Sequence, residues 1–279
     1  MSVYTLDLSV YTPMWSVYTP MWSVYTLNVM FCVFSNALIQ HCLYIPMLFR
    51  AFILRRLQKK HRIIFFSPAQ MASNISHSID CWARDLPSSL KTDIRNHHAG
   101  TLMNLRLVHL DKAFLLAALR YWDIETHTFR FRSNEITPLP EEIGAILDWP
   151  KDLPPCLPDL SEFYYRFFER YLGLERRHVA DMIDGHNVNL VKLIHHFRSM
   201  GYIGAAHRRR AFIFCLFCQH LFIHEDGNCG LAPIIGVVEQ FEVGRSPAML
   251  CAGELLLCLD EAKTNPACLF KRCPIILQV

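Results

Sequence analysis

Residues 121–147 read YWDIETHTFRFRSNEITPLPEEIGAIL, and the spacing of apolar residues changes twice within this stretch. Residues 128–132 alternate polar and apolar side chains, which is typical of a short strand. Ser133 and Asn134 then predict a turn, and residues 135–137 are expected to pair back as a second strand. The stretch therefore predicts a small β-hairpin.

Helical patterns flank the hairpin on both sides. Apolar residues recur with helical spacing from Leu105 to Trp122, which predicts one helix before the strands. After the strands, Pro140 is placed to open a second helix, and Glu142 in its first turn suits the helix dipole. This second helix is expected to end near Trp149.

The rest of the chain after the proline-rich loop that ends at Pro158 predicts helices only. They are expected at residues 161–172, 175–183, 189–200, 207–224, 231–243 and 247–263. The fold class predicted from the sequence is mainly α, a helical domain with a small two-stranded β element near residues 128–137. The chain stops abruptly in the apolar stretch 273–279, which predicts a helical domain truncated at its C-terminal end.

Composition excludes several classes of protein. Of 279 residues, 52% are hydrophobic and 19% are charged, which is too apolar for a disordered chain. Residues 1–70 carry six basic side chains and one acid, so the remaining residues carry 22 − 24 = −2. That balance does not favour a general nucleic-acid binder. The eleven cysteines lack regular spacing, and we expect them to be reduced thiols in an intracellular protein.

The N-terminal part differs from the rest of the chain. Ser-Val-Tyr-Thr begins at Ser2, Ser9, Ser16 and Ser23, and prolines inside two of these units disfavour a coiled coil. We expect the repeats, residues 1–28, to be unstructured. An uncharged run follows from Val29 to Phe49, with the length of a membrane span.

A basic cluster follows the uncharged run directly. It is the flank expected on the cytoplasmic side of a span, and it equally fits a nuclear-import signal. The cluster consists of Arg50, Arg55, Arg56, Lys59, Lys60 and Arg62. The predicted organisation is therefore repeats over 1–28, an apolar segment with its basic cluster over 29–66, a connection with one or two short helices over 67–100, and a helical domain over 101–279.

A set of motifs within residues 121–147 resembles a plant family. The pattern consists of a Trp-Asp pair, a His-x-Phe-x-Phe strand, a Glu-x-Thr-Pro step and a glutamate-rich helix start. Its residues here are Trp122, Asp123, His127, Phe129, Phe131, Glu135, Thr137, Pro138, Glu141 and Glu142. This order is similar to the plant mobile domain, also called aminotransferase-like, and to a related transposon-associated plant domain. The resemblance extends over about residues 100–279.

The resemblance implies a transposon-derived plant protein without enzymatic activity. It implies an interaction module related to mobile elements or their silencing in the nucleus, with protein or nucleic acid as partner and without a cofactor. It carries no catalytic residue onto this chain. Two other interpretations stay open: a single-pass membrane protein anchored by the run from Val29 to Phe49, and a truncated gene product without function.

Two clusters outside the motif invite a chemical interpretation. Cys215, Cys218, His224 and Cys229 have donor types that suit zinc, but Cys215 and Cys218 stand in a sequence typical of a buried helix. We therefore predict core packing and no metal. Residues 208–210 are three arginines at a helix start, where the dipole disfavours them, so tertiary partners are expected.

Overall fold

Residues 74–106, 108, 110–157, 164–199, 203–224, 226–266 and 273–278 are described by the structure, a computed structural model. These residues all fall within one compact unit of the chain. The N-terminal repeats, the uncharged run from Val29 to Phe49 and the basic cluster lie outside the described residues. Among the residues that the structure describes, no helix is both long enough and apolar enough to cross a membrane.

Helices make up most of the described chain. In chain order they are α1 (Asn74–Asp85), α2 (Ser88–Asn96), α3 (Gly100–Leu105), α4 (Lys112–Leu119), α5 (Pro140–Ile146), α6 (Tyr164–Leu172), α7 (Arg176–Met182), α8 (Leu190–Ser199), α9 (Ala205–His220), α10 (Ile234–Glu242) and α11 (Ala248–Thr264), with a 3-10 turn at Pro274–Leu277. The strands are β1 (Trp122–Asp123), β2 (Thr128–Phe131), β3 (Asn134–Ile136), β4 (Ile183–Asp184), β5 (Asn187–Asn189) and β6 (Cys229–Leu231). The predicted mainly α class is confirmed.

Helix α9 forms the centre of the fold. Eight consecutive residues, 211–218, are buried, so the helix is apolar on all sides rather than on one face. Helices α1, α2, α3, α6, α8 and α10 all pack against it. A helix of this kind is stable only when neighbours surround it, and here six helices do so.

The predicted connection over 67–100 contains α1 and α2, and both contribute to the core. Ile79 and Trp82 of α1 and Ile94 of α2 are buried. The Trp82 ring lies 5.1 Å from the ring of Phe212 on α9, edge to face. These two helices therefore pack as part of the helical body.

The β element near residues 128–137 has three strands, one more than predicted. Strand β2 lies in the middle, with Phe129 opposite Trp122 of β1 and opposite Ile136 of β3, and both pairings are antiparallel. The extra strand is formed by Trp122, which the sequence assigns to the end of a helix, and by Asp123 directly after it. Two residues are too few to show an alternating pattern.

The single helix predicted from Leu105 to Trp122 is wrong. The structure has α3 and α4 with a break between them. Asp111 explains the second start, because its Oδ1 accepts a hydrogen bond from the backbone N–H of Phe114 at 3.1 Å and caps α4. Helix α4 then ends before the chain turns into β1.

A second antiparallel sheet, absent from the sequence prediction, lies against α9. Its order is β4-β5-β6, so a hairpin at Gly185 is joined by a strand about forty residues further along the chain. Strand β6 approaches α9 very closely. A Cβ atom on Gly230 would lie 2.6 Å from Cys218 Sγ, so only glycine fits there without displacement.

Candidate functional site

Three residues from distant parts of the chain meet beside the first sheet. Asp260 on α11 accepts a hydrogen bond from Trp122 Nε1 at 2.8 Å. The Nδ1 atom of His127 lies 3.1 Å from Asp260 Oδ2. Burial raises the pKa of Asp260, and the indole and imidazole groups only partly offset this effect. The carboxyl group therefore connects α11 to both ends of the β1–β2 turn.

His127 occupies a strained corner of that turn. Its φ of 49° lies in the left-handed region, which a side chain other than glycine rarely adopts. The Thr137 hydroxyl donates a hydrogen bond to the His127 carbonyl at 2.9 Å. Contacts on both the imidazole and the backbone thus hold His127 in place, which indicates a role in positioning the sheet.

A second polar group lies on the same sheet and is more exposed. Arg130 of β2 contacts Asp123 Oδ2 at 2.7 Å and Glu135 Oε1 at 3.0 Å. The other oxygen of Asp123 accepts the backbone N–H groups of Glu125 and Thr126. These backbone hydrogen bonds, with the positive charge of Arg130, lower the pKa of Asp123. Asp123 therefore fixes the turn and orients Arg130.

A cleft of about 530 Å³ follows the chain through β1. Its lining consists of six consecutive residues, 120–125, together with Arg130 and Lys263. Lys263 of α11 donates to the carbonyl oxygens of Leu119 and Arg120 at 3.0 and 3.1 Å, at the C-terminal end of α4. The cleft thus combines basic, acidic and apolar groups, and Lys263 ties α11 to the end of α4 beside it.

The family-motif residues lie on the three strands of this sheet, in the turn between β1 and β2, or between β3 and the first turn of α5. The ring of Phe129 is buried 4.9 Å from Trp122, and that of Phe131 lies 4.8 Å from Tyr121. Pro138 precedes α5, and Glu141 is exposed in the first turn of that helix. The structure therefore brings the aromatic, histidine and threonine positions of the motif together, and leaves Glu141 apart from them.

The four candidate zinc ligands have different surroundings. Cys215 and Cys218 are buried in the core, and burial raises the pKa of both thiols. His224 Nδ1 accepts the backbone N–H of Asp226, and Cys229 Sγ donates to Asp226 Oδ2. In the described part of the chain, no three histidine, cysteine or acidic residues are grouped as a metal site.

A buried charge cluster was not predicted as a site. Glu242, at the end of α10, accepts hydrogen bonds from Arg209 Nε at 2.9 Å, Arg210 Nε at 2.8 Å and the Tyr171 hydroxyl at 2.7 Å. Arg209 also contacts Asp93 of α2. Burial alone would raise the pKa of Glu242, but the hydrogen bonds from Tyr171 and the two arginines outweigh it and lower the pKa.

This charge cluster explains the position of two of the three consecutive arginines at the start of α9. Arg209 pairs with Asp93 and Glu242, and Arg210 binds Glu242 and the carbonyl oxygen of Tyr171, so these contacts join α2, α6, α9 and α10. The arginines at the start of an otherwise buried helix were the signal in the sequence. What the sequence did not show was which carboxylate receives them.

Comparison of the chain with protein-family models, with curated proteins and with solved structures gives no match. The resemblance to the plant mobile domain therefore stays a prediction from the motif order.

Proposed function

We propose that residues 100–279 act as a non-enzymatic interaction module of the plant mobile-domain type, which binds a segment of a partner protein in the cleft beside β1. The observation that carries this proposal is the composition of the cleft. Tyr121 and Ile124 offer apolar surface, while Arg120 and Glu125 offer charges of opposite sign within one short stretch. Such a mixture suits a polypeptide with both apolar and charged side chains.

The charge balance favours a protein partner over a nucleic acid. Arg130 lies beside the carboxylates of Asp123 and Glu135, and Lys263 is bound to two carbonyl oxygens. Nucleic acids bind mainly through several phosphates that basic side chains neutralise. Two of the three basic side chains that line the cleft, Arg130 and Lys263, thus already have anionic or carbonyl partners, and the cleft carries its own acids, so it offers less of that attraction.

The motif order supports a role connected with mobile elements or their silencing in the nucleus. The basic cluster from Arg50 to Arg62 supplies the type of sequence that serves as a nuclear-import signal. In this proposal the N-terminal cluster directs the chain to the nucleus, and the cleft selects the partner.

A peptide-display selection on the full-length chain tests the cleft. We expect enriched peptides to bind the wild-type chain and to bind Ile124→Asp at least about tenfold more weakly, which corresponds to about 1.4 kcal/mol. Val243→Asp is the matched control, because Val243 is also an exposed apolar residue and does not line the cleft. Equal loss in both variants would contradict the cleft as the binding site.

Oligonucleotide binding distinguishes the two partner classes. We expect labelled single-stranded and double-stranded DNA and RNA to bind the chain weakly at physiological salt, and Ile124→Asp to leave this binding unchanged. Tight binding with a steep salt dependence, lost in Arg120→Gln, would instead favour a nucleic-acid partner.

Fractionation of a tagged full-length chain tests the location. We expect a nuclear pool that falls when Lys59 and Lys60 are both replaced by glutamine, and that persists when Lys112 and Lys151 are replaced instead. A pool in the membrane fraction that resists alkaline carbonate would contradict the nuclear role and favour a span from Val29 to Phe49.

A further inference from the structure

Strand β1 lies at an edge of the first sheet. The strand order is β1-β2-β3, so within the described chain β1 pairs with β2 on one side and with no strand on the other. The cleft beside β1 is lined by both residues of this strand and by their neighbours along the chain, residues 120–125. The cleft therefore follows a sheet edge, where main-chain N–H and C=O groups are open to pairing with a further strand.

The register between β1 and β2 determines which main-chain groups of β1 face away from the sheet. Trp122 lies opposite Phe129. Next to this pair, the backbone N–H of Arg130 donates to the Tyr121 carbonyl at 2.8 Å. Hydrogen-bonded and non-hydrogen-bonded pairs alternate in an antiparallel ladder, so Trp122 and Phe129 form a non-hydrogen-bonded pair. The N–H and C=O groups of Trp122 consequently point away from β2.

These outward groups of Trp122 have no hydrogen-bond partner within the described chain. Trp122 is only 2% exposed, and its indole donates to Asp260. Neither its backbone N–H nor its carbonyl takes part in a hydrogen bond with another described residue. Because buried main-chain groups are almost always paired in folded proteins, two such groups at a sheet edge indicate a place for an additional strand.

The two ends of this edge carry opposite charges. Arg120 precedes β1 and Glu125 follows it, and both are exposed and line the cleft. Arg130 and Lys263 already bind groups of the chain itself, so Arg120 is the cation that a partner meets. Opposite charges on neighbouring strands attract each other, so a complementary segment carries an acidic residue at one end and a basic residue at the other.

We propose that the partner segment binds in an extended conformation as an additional strand on the free edge of β1, with its acidic end near Arg120 and its basic end near Glu125. This inference rests on the proposed binding of a partner segment in the cleft. The main chain of the segment donates an N–H to the Trp122 carbonyl and accepts the Trp122 N–H. These main-chain hydrogen bonds provide affinity, and the charges at the two ends provide selectivity.

Single N-methylation of peptide amides tests the additional strand. The probes are the display-selected peptides whose binding to the full-length chain is lost in Ile124→Asp, resynthesised with one N-methylated amide at a time. Because the amides of a strand face its two edges alternately, we expect N-methylation at one central position to weaken binding about tenfold and at its two neighbours to have a smaller effect.

The possible failures of this test can be told apart. Peptides that bind the cleft but keep their affinity at every N-methylated position would overturn the additional strand and leave the cleft as a binding site. Equal losses at all positions would also overturn it, since they lack the alternation of a strand. If the selection gives no peptide that is sensitive to Ile124→Asp, both this inference and the proposed function are wrong.

A charge exchange tests the orientation of the segment. Arg120→Glu should weaken binding of the selected peptides about tenfold, and replacing the acidic residue of the peptide by lysine should restore it. Lys151→Glu is the matched control, because Lys151 is also an exposed cation and does not line the cleft. An Arg120→Glu variant with unchanged circular dichroism that binds the peptides as tightly as the wild type would overturn the proposed charge pattern.

Discussion

Glu242 and Asp260 are both buried carboxylates at or near the end of a helix, and their pKa values shift in opposite directions. Glu242 is surrounded by two guanidinium groups and a phenol hydroxyl, and its pKa is lowered. Asp260 is bound by an indole N–H and an imidazole, and its pKa is raised. Burial opposes ionisation in both cases, so the charge of the partners decides the direction.

The difference separates two parts of the molecule. Around α9, charged side chains hold four helices together, and removing one charge leaves the others buried without compensation. Around the first sheet, Asp260 is bound by one indole N–H and one imidazole and by no guanidinium group, so the carboxyl group can be neutral at a smaller cost. We therefore expect the first region to be sensitive to the loss of charge and the second to the loss of a hydrogen-bond donor.

The largest effect is expected for Glu242→Gln. The substitution removes one of the two counter-charges of Arg209, whose side chain is only 12% exposed, and also the carboxylate that pairs with Arg210, so it should lower the free energy of unfolding by about 3 kcal/mol. Urea denaturation measures the loss. Glu239→Gln is the control on the same helix, because the pair of Glu239 with Arg170 is much more exposed and should contribute less than about 1 kcal/mol. Similar losses in both variants would contradict the comparison.

Trp122→Phe should have the next largest effect. It removes the donor to Asp260 together with part of a buried ring, at a cost of about 2–3 kcal/mol. Trp149→Phe makes the same change at another buried tryptophan, whose Nε1 donates to the neutral carbonyl of His98. If both substitutions lower the free energy of unfolding equally in denaturation experiments, the carboxyl group of Asp260 is no better an acceptor for the indole N–H than a backbone carbonyl.

Acidification should change the contributions of Glu242 and Asp260 to the free energy of unfolding in opposite directions. The pKa of Glu242 is lowered below its usual 4.5, so its stabilising contribution is present above pH 4.5 and is lost as the pH falls through the folded pKa. The pKa of Asp260 is raised above its usual 3.8, so its contribution is present below pH 3.8 and is lost as the pH rises through the folded pKa.

Denaturation measured between pH 7 and pH 3.5 checks these signs. The stability difference between wild type and Glu242→Gln should narrow on acidification, whereas the difference between wild type and Asp260→Asn should widen. Parallel curves for the two variants would mean that both carboxyl groups have the same kind of environment.

The smallest effect is expected for Arg130→Gln. Although Arg130 contacts two carboxylates, its side chain is 47% exposed, and solvent screens the interaction. The free energy of unfolding should fall by less than about 1 kcal/mol, within the range of surface ion pairs. A loss as large as that of Glu242→Gln would place Arg130 among the buried charges and remove the distinction between the regions.

Local patterns explain which parts of the fold could be predicted. Strands β2 and β3 pair across a short turn, so their alternation and the turn residues stand together in the sequence. Strand β6 pairs with β5 from about forty residues away, and each strand has only three residues. No local spacing reveals such a pairing. Gly185, which has a positive φ in the structure, is a residue type that permits the turn between β4 and β5 but does not by itself predict it.

The same limit applies to the site. The motif order singled out Trp122 and His127, but their common partner, Asp260, lies 138 residues beyond Trp122. The arginines at the start of α9 indicated tertiary partners, yet nothing near them in sequence pointed to Glu242. Residue types can suggest that a side chain needs a partner, whereas the identity of that partner depends on how distant helices pack.

The contact between Gly230 and Cys218 has a consequence for how this sequence can change with time. A methyl group at position 230 collides with a sulfur atom on the central helix. The added Cβ would also lie 3.0 Å from Leu190 Cδ2 and from Cys218 Cβ, so a larger residue at 230 requires changes at both 218 and 190. Substitutions at these positions should therefore be correlated among related chains, even where the rest of the sequence differs.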